Sequence, residues 1–297
     1  MEKKSFGVIR TIMNKLESLK LKQYYFECAI IFMNVILRPS ILYGGECYYN
    51  LTESQLRSIE RIEEKYLRKI LKTSRGCPIV QMYLESGQWP ARFELQKMRC
   101  LFLKQILRQD ENSQVYKFFQ LQLSQPVRGD WVTTCKEDLS QLKIYDSFED
   151  IKRMSETKFK NMLKTRMKEN ALEYLLKRRG SKGQGIQYSN LEMAEYLLPQ
   201  NIKLNVDEKR RMFSIKNRMV LLPCNFGNPD EKCICGTLEN MPHLYSCEYL
   251  NETKPIIPYD KLNNGSLKDQ IEIFHRFEHN MEIRTELKQK METGQTT

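Results

Sequence analysis

The stretch TESQLRSIERIEEKYLRKILK, residues 52–72, indicates the fold class most clearly. Thr52 followed by Gln55 has the form of a capping box, which marks the first turn of a helix. Apolar residues then recur every three or four positions, the period of a helix with one buried face. The stretch therefore predicts an amphipathic helix, and its apolar face consists of Leu56, Ile59, Ile62, Tyr66, Leu67, Ile70 and Leu71.

A basic stripe lies on a different face of this predicted helix. At about 100° per residue its cations fall within about 80° of one another. Glu60, Glu63 and Glu64 lie mostly along its edge and on the flank of the apolar face. Two interpretations are open: a solvated face with ion pairs one turn apart, or a cationic strip that follows a phosphate backbone. The basic stripe consists of Arg57, Arg61, Lys65, Arg68 and Lys72.

The same helical period recurs in nearly every other long segment, and no stretch shows sustained alternation with hairpin turns. We therefore expect an all-α protein with two helical lobes and a small C-terminal element of the zinc-knuckle kind. A first helix is expected from about Gly7 to Leu37, with a break near Gln23. Because Pro126 and Gly129 interrupt the pattern, the regions are expected at residues 1–125, 126–200 and 201–297.

The composition indicates a globular protein with an anionic partner. The 297 residues are 41% hydrophobic and 29% charged, and the formal net charge is +11. Such an excess favours a polyanion, nucleic acid first and an anionic membrane surface second. The longest apolar run, Cys28–Leu37, is far shorter than the roughly 20 residues needed to cross a bilayer. We therefore expect no membrane insertion and no small-molecule substrate.

Cysteine usage indicates a reducing compartment. The chain has nine cysteines, an odd number, and no secretory leader is recognisable in its first residues. Single, widely spaced cysteines are typical of reduced and mostly buried thiols. We therefore expect an intracellular protein, in the cytoplasm or the nucleus. The single cysteines are Cys28, Cys47, Cys77, Cys100 and Cys135.

Most of the net charge lies between residues 152 and 182. This segment has eleven Lys and Arg residues against three Glu, a net charge of +8. It ends in KRRGSKGQG, a basic and glycine-rich loop without the spacing of a dinucleotide-binding motif. Concentrated charge beside such a loop favours phosphate contact over generic solubility. The expected contact residues are Lys177, Arg178, Arg179 and Lys182.

The stretch CICGTLENMPHLYSC, residues 233–247, has the composition of a metal site. Cys233 and Cys235 precede a glycine that favours a tight turn. His243 and Cys247 are four residues apart after Pro242, a spacing that predicts one helix with both side chains on the same face, one turn apart. Three cysteines and a histidine form the ligand set of closed structural zinc sites. The alternative is scattered thiols beside an ordinary histidine. Cys-x-Cys is shorter than the usual Cys-x2-Cys, and Cys224 is a possible substitute ligand.

The other histidines lie in HRFEH, residues 275–279. This string matches the H-x-x-E-H motif of one metalloprotease class. Such a site needs a third protein ligand from far downstream, and only eighteen residues follow His279. A metal-dependent hydrolase using His275 and His279 is therefore a weaker hypothesis than an amphipathic C-terminal helix.

Three collinear blocks resemble the C-terminal part of non-LTR retrotransposon reverse transcriptases. RPSILYGGECYY, residues 38–49, is similar to the connector after the palm. YLRKILKTSRG with LESGQWPARFELQKMRCLFLKQIL is similar to the thumb-like helices that follow. EKRRMFSIKNRMVLLPCNFG, with CICG and ENMPHLYSC, is similar to the basic helix and Cys-Cys-His-Cys element that close those polyproteins.

The resemblance implies that residues 1–125 are a thumb- and connector-like region. Residues 126–200 would then be a basic segment and linker, and residues 201–297 a helical region with the zinc element. It implies that the helices support template and primer and that the Cys/His region contacts RNA or target DNA. The implied zinc ligands are Cys233, Cys235, His243 and Cys247.

The resemblance also bears on catalysis. A polymerase palm of this family needs adjacent aspartates to hold two metal ions, and the chain contains no Asp-Asp pair. Fingers and palm would lie upstream of Met1. We therefore expect a non-catalytic nucleic-acid-binding protein, a truncated or domesticated retroelement product. The alternative is an inert, decaying retroelement fragment with a structural role only.

Overall fold

The computed structural model describes residues 2–19, 24–73, 77–144, 146–180, 204–216, 232–250, 255 and 257–293. These residues are mostly helical, and their only β-type pairing is an isolated antiparallel bridge between Lys232 and Leu238. The prediction of an all-α fold with a small Cys/His element near the C-terminus is thereby confirmed. No helix among the described residues is long and apolar enough to span a bilayer.

Two compact units divide the chain. Of the described residues, the first unit contains 2–19, 24–72, 79–144 and 146–180, and the second contains the rest. The helices of the first unit are α1 (Glu2–Ser18), α2 (Tyr25–Phe32), α3 (Arg38–Ile41), α4 (Glu53–Leu71), α5 (Ile79–Ser86), α6 (Ala91–Leu107), α7 (Gln114–Ser124), α8 (Trp131–Gln141), α9 (Phe148–Arg153) and α10 (Glu156–Gly180). A π-helical segment (Met33–Leu37) joins α2 to α3, and a 3₁₀ turn (Gly45–Cys47) follows α3.

The N-terminal helix differs from its prediction. It was expected from about Gly7, but α1 begins at Glu2 and ends at Ser18. The continuation to Leu37 is a separate helix, α2, which widens into the π-helical segment. The expected break near Gln23 lies outside the described residues.

Helix α4 forms as its sequence predicts. The Thr52 hydroxyl accepts a hydrogen bond from the Gln55 amide (3.3 Å), and the Gln55 side chain accepts one from the Thr52 amide (2.8 Å). The apolar face is buried, with Tyr66 and Leu67 fully covered. Because the Tyr66 hydroxyl donates to the carbonyl of Ala29 (2.6 Å), this buried polar atom also has a partner.

One hydrophobic core extends across residue 126, where a boundary was expected. Leu103 of α6, Leu139 of α8 and Phe159 of α10 belong to the same buried cluster. The buried pair Arg99 and Asp138 links α6 to α8 through two hydrogen bonds of 2.6 and 2.9 Å. Residues 79–144 and 146–180 therefore pack as parts of one unit.

The second unit is built around its last helix. Its helices are α11 (Val206–Lys216), α12 (Met241–Ser246), α13 (Lys261–Asn264) and α14 (Leu267–Glu292). The carboxylate of Asp269 and the hydroxyl of Ser266 complete a capping box at the start of α14. Ile273, Phe274 and Phe277 form a fully buried row on this helix, and α12 packs against it.

The singly spaced cysteines are free thiols. Cys77, Cys100 and Cys135 are buried, whereas Cys28 is half-buried and Cys47 is exposed. Burial raises the pKa of the Cys100 and Cys135 thiols well above the ordinary range. These two thiols therefore stay protonated at neutral pH and behave as small apolar side chains.

Candidate metal centre and basic surfaces

A tight turn presents the first two sulfur atoms of the Cys/His group. The Cys233 amide donates to the carbonyl of Thr237 (2.8 Å), and the Gly236 amide donates to the carbonyl of Cys233 (2.8 Å). Gly236 has φ = +86°, a left-handed conformation that favours glycine. The turn lies just inside the Lys232–Leu238 bridge. A spacing of one residue between the cysteines is therefore compatible with convergent sulfur atoms.

A short helix presents the other two ligands. Asn240 caps α12, since its side chain accepts a hydrogen bond from the His243 amide (2.8 Å), and Pro242 lies in the first turn. The helix ends at Ser246, and Cys247 has extended backbone angles. His243 and Cys247 are thus not one turn apart on a continuous helix, as their spacing predicted. Cys247 instead lies at the end of α12, where the chain changes direction.

The four side chains converge on one point. Their ligand atoms all lie within 4.8 Å of one another. The sulfurs of Cys233 and Cys247 are 3.9 Å apart, and the Cys235 sulfur is 3.2 Å from Nε2 of His243. Two sulfurs bound to one tetrahedral ion at 2.3 Å would be about 3.8 Å apart. This group of four residues can therefore hold a metal ion.

The four ligands differ in exposure. Cys233 and Cys247 are buried, each with 3% of its surface exposed, whereas Cys235 is exposed and His243 is half-buried. Burial raises the pKa of the Cys233 thiol to about 11. Because a metal ion binds the thiolate, the charge of the ion must offset this cost of desolvation. One side of the centre is thus part of the core, and the other side faces solvent.

Helix α14 supports the metal centre through polar contacts. The guanidinium of Arg284 donates to both carboxylate oxygens of Glu239 at 2.7 and 2.5 Å, and Glu239 is fully buried. The side-chain amide of Asn280 donates to the carbonyls of Leu244 (2.7 Å) and Tyr245 (3.2 Å) in α12. Local spacing in the sequence does not reveal this ion pair, because Glu239 and Arg284 are 45 positions apart.

His275 and His279 are exposed on α14. Glu278 between them accepts a hydrogen bond from Arg211 (2.7 Å). Within the described parts of the chain, neither histidine belongs to a group of three or more potential metal ligands. The hydrolase hypothesis therefore has no third ligand among those residues.

The basic stripe of α4 has two parts with different surroundings. At its start, Arg57 donates to Glu60 (2.6 Å) and Glu64 (3.0 Å), whose side chains are buried. Arg61, Lys65 and Lys72 are exposed and Arg68 is half-buried. The ammonium of Lys65 lies 3.5 Å from the ring centroid of Phe6. The exposed cations of the stripe are thus available to solvent, whereas Arg57 is committed to an internal ion pair.

The glutamates of α4 are more deeply buried than their positions suggested. Glu63 accepts a hydrogen bond from Arg38 (2.8 Å), which is itself buried and also donates to the Trp89 carbonyl (2.6 Å). Glu60 accepts one from Arg92 (2.5 Å). These arginines come from α3 and α6, so the sequence of α4 alone does not reveal them.

The basic residues at the end of α10 also differ from one another. Lys177 is exposed and pairs with Glu173 (2.7 Å). Arg178 is half-buried and lies within 4 Å of the buried carboxylates of Glu60 and Glu64, at 3.9 and 3.6 Å. The backbone of Arg179 is helical, and its side chain, like the whole of Lys182, lies outside what the structure describes. Of the four residues expected to contact phosphate, Lys177 is thus the one described as exposed.

Comparisons with known proteins found no matching family model, curated protein or solved structure. The described fold and site by themselves define the class of protein, an all-α protein with a Cys3His group able to hold a metal ion.

Proposed function

We propose that this protein is a non-catalytic nucleic-acid-binding protein with a structural zinc in its second unit. The observation that carries the proposal is the convergence of three sulfurs and one imidazole nitrogen within 4.8 Å. The net charge of +11 supports the choice of a polyanionic partner. In this proposal the metal centre maintains the fold, and basic helices make the contacts.

Zinc fits the donor set better than other common ions. Thiolates are soft ligands, which disfavours magnesium and calcium, and Cys3His is a frequent structural zinc set. Four protein ligands complete a tetrahedral shell, so no position is left for a substrate or a reactive water. The zinc would tie the Cys233 turn to α12 and thereby contribute to folding.

Phosphate contact is the role proposed for the exposed cations. Arg61, Lys65 and Lys72 of the basic stripe and Lys177 of α10 are exposed, as electrostatic contact with a phosphate backbone requires. The resemblance to the closing region of non-LTR reverse transcriptases supports RNA or DNA as the partner. Origin from such a retroelement is part of the same proposal.

The salt dependence of binding tests the proposed function. Zinc-loaded protein is titrated into fluorescein-labelled single-stranded DNA and RNA of mixed sequence, and anisotropy gives the affinity at several salt concentrations. Six phosphate contacts with a single strand predict a slope of log K against log salt of about −4. A slope near zero, or no binding at low salt by a protein that melts cooperatively, would contradict the proposal. A protein that neither melts cooperatively nor binds would match the inert-fragment alternative.

A further inference from the structure

The first half of α10 carries a row of lysines beside its buried face. Phe159, Leu163 and Met167 follow one another at intervals of four residues and are at most 1% exposed. Each of these buried residues is followed directly by an exposed lysine. This α10 lysine row consists of Lys160, Lys164 and Lys168.

Among the described residues, the α10 lysine row has one ion-paired member. From Thr157 to Lys168 the chain has five Lys and Arg residues and no carboxylate. Lys160 pairs with Glu156 (3.0 Å), but the ammonium groups of Lys164 and Lys168 make no ion pair with any described residue. Like charges one helical turn apart repel each other and destabilise a helix. An anionic partner would relieve this repulsion.

Two other cations of α10, Arg166 and Lys177, are compensated. Arg166 pairs with Glu169 (3.1 Å) and Lys177 with Glu173 (2.7 Å), each one turn away along the helix. Neither Lys164 nor Lys168 has an acidic residue three or four positions away. Ion pairs one turn apart therefore account for Arg166 and Lys177 but not for Lys164 and Lys168.

The side chains next to the row favour a phosphate backbone over a protein surface. Thr157, Asn161 and Thr165 lie beside it and are exposed, and hydroxyl and amide groups are common phosphate donors. No large hydrophobic side chain of α10 is among the exposed ones that the structure describes. Protein interfaces depend on such apolar and aromatic anchors. Contact through this row would also involve no stacking on bases.

We propose that the α10 lysine row is a nucleic-acid contact surface that binds the phosphate backbone without reading sequence. The inference rests on the proposed function. It assigns contact to a surface separate from the basic residues at the end of α10. At 1.5 Å per residue, the twelve residues from Thr157 to Lys168 extend about 18 Å along the helix.

The test compares two variants that lose the same charge. Lys164→Gln/Lys168→Gln removes two members of the row, and Lys268→Gln/Lys290→Gln removes two exposed lysines of α14. Each is titrated into a short fluorescein-labelled single-stranded DNA of mixed sequence at several salt concentrations, after far-UV circular dichroism has confirmed wild-type helicity. Loss of two phosphate contacts predicts a slope shallower by about 1.4 in the first variant and unchanged in the second.

The outcomes separate this inference from the proposed function. Equal changes in both variants, or none in the first, would overturn the α10 surface while wild-type binding still supported the function. A wild-type slope near zero would overturn both. Poly-L-glutamate is titrated as a second polyanion. If it binds the wild type as tightly as DNA does and loses affinity only in the first variant, the partner of this surface is an acidic protein instead. A repeat of the first titration with an oligonucleotide of different base composition should give the same affinity.

Discussion

Arg284 donates two hydrogen bonds to the buried carboxylate of Glu239, which lies four residues before the metal ligand His243. Lys288, one turn further along α14, lies 3.5 Å from the same carboxylate. The pair fixes the segment that enters α12 to the last helix of the chain. The candidate metal centre is thus anchored by side chains as well as by its own ligands.

Breaking this pair should destabilise the second unit. Without Arg284, the buried carboxylate of Glu239 keeps Lys288 as a nearby cation, so the cost should be about 1–3 kcal/mol, below the 3–5 kcal/mol of a fully unpaired buried charge. We therefore expect Arg284→Met to lower the free energy of unfolding measured by urea and circular dichroism by about 1–3 kcal/mol. Glu286→Gln, an exposed position on the same helix, is the control and should stay within about 0.5 kcal/mol of wild type. Equal stability of the two variants would show that the pair is not an anchor.

Metal removal should affect the two units differently. Both tryptophans, Trp89 and Trp131, belong to the first unit, so their fluorescence reports on that unit alone. Structural zinc contributes on the order of 10 kcal/mol in small zinc peptides. We expect a chelator to reduce the helical circular dichroism of the second unit and to leave the urea midpoint of tryptophan fluorescence unchanged. Helicity that is insensitive to the chelator would contradict a structural role for the metal.

Substitution of two neighbouring arginines of the basic stripe should affect different properties, stability for one and nucleic-acid binding for the other. Arg57→Gln removes a partner of buried Glu60 and Glu64, which should cost about 1–3 kcal/mol of stability. Arg61 is exposed, so Arg61→Gln should leave the melting temperature unchanged and weaken nucleic-acid binding at low salt. Urea titration and fluorescence anisotropy on both variants measure the two effects. The reverse assignment, with Arg61 needed for stability, would refute this division of the stripe.

The capping box of α14 predicts a particular pH dependence. Hydrogen bonds from the Ser266 hydroxyl and amide hold the pKa of Asp269 below its usual range. A carboxyl whose pKa is lowered by folding stabilises the protein above its unfolded pKa, about 3.9 for aspartate, and this contribution is lost as the pH falls through the folded pKa.

Asp269→Asn should therefore be less stable than wild type at neutral pH. The difference should decrease below about pH 4 and disappear at lower pH, where Asp269 is protonated in both the folded and the unfolded states. Urea titrations of both proteins at a series of pH values measure it. A difference that does not change with pH would mean that the charged carboxylate contributes nothing.

Local signals in the sequence predicted the elements, and long-range pairings explain what was missed. The capping box at Thr52 and the four metal ligands follow from spacing, which acts over a few residues. Burial of Glu63 depends on Arg38, 25 positions away, and burial of Glu239 depends on Arg284. The spacing of residues within α4 suggested solvated or flanking positions for its glutamates. It could not show their burial, because the arginines that pair with them come from other helices.

The boundary expected near residue 126 also shows that local sequence signals do not specify tertiary packing. Turn residues near position 126 suggested a boundary, but a turn shows only that the chain changes direction. The contacts of Leu139 and Phe159 with the core of α6 decide that the flanking segments form one unit. Such contacts depend on tertiary packing, which the helical period alone does not specify.

The zinc content of the purified protein tests the central claim most directly. Elemental analysis is made of the wild type, of Cys235→Ser/His243→Ala and of the control Cys47→Ser, which changes an exposed cysteine outside the metal centre. Our account predicts about one zinc per chain in the wild type and the control, because four ligands complete one site, and none in the double variant. Absence of zinc from all three, or equal zinc in all three, would contradict it.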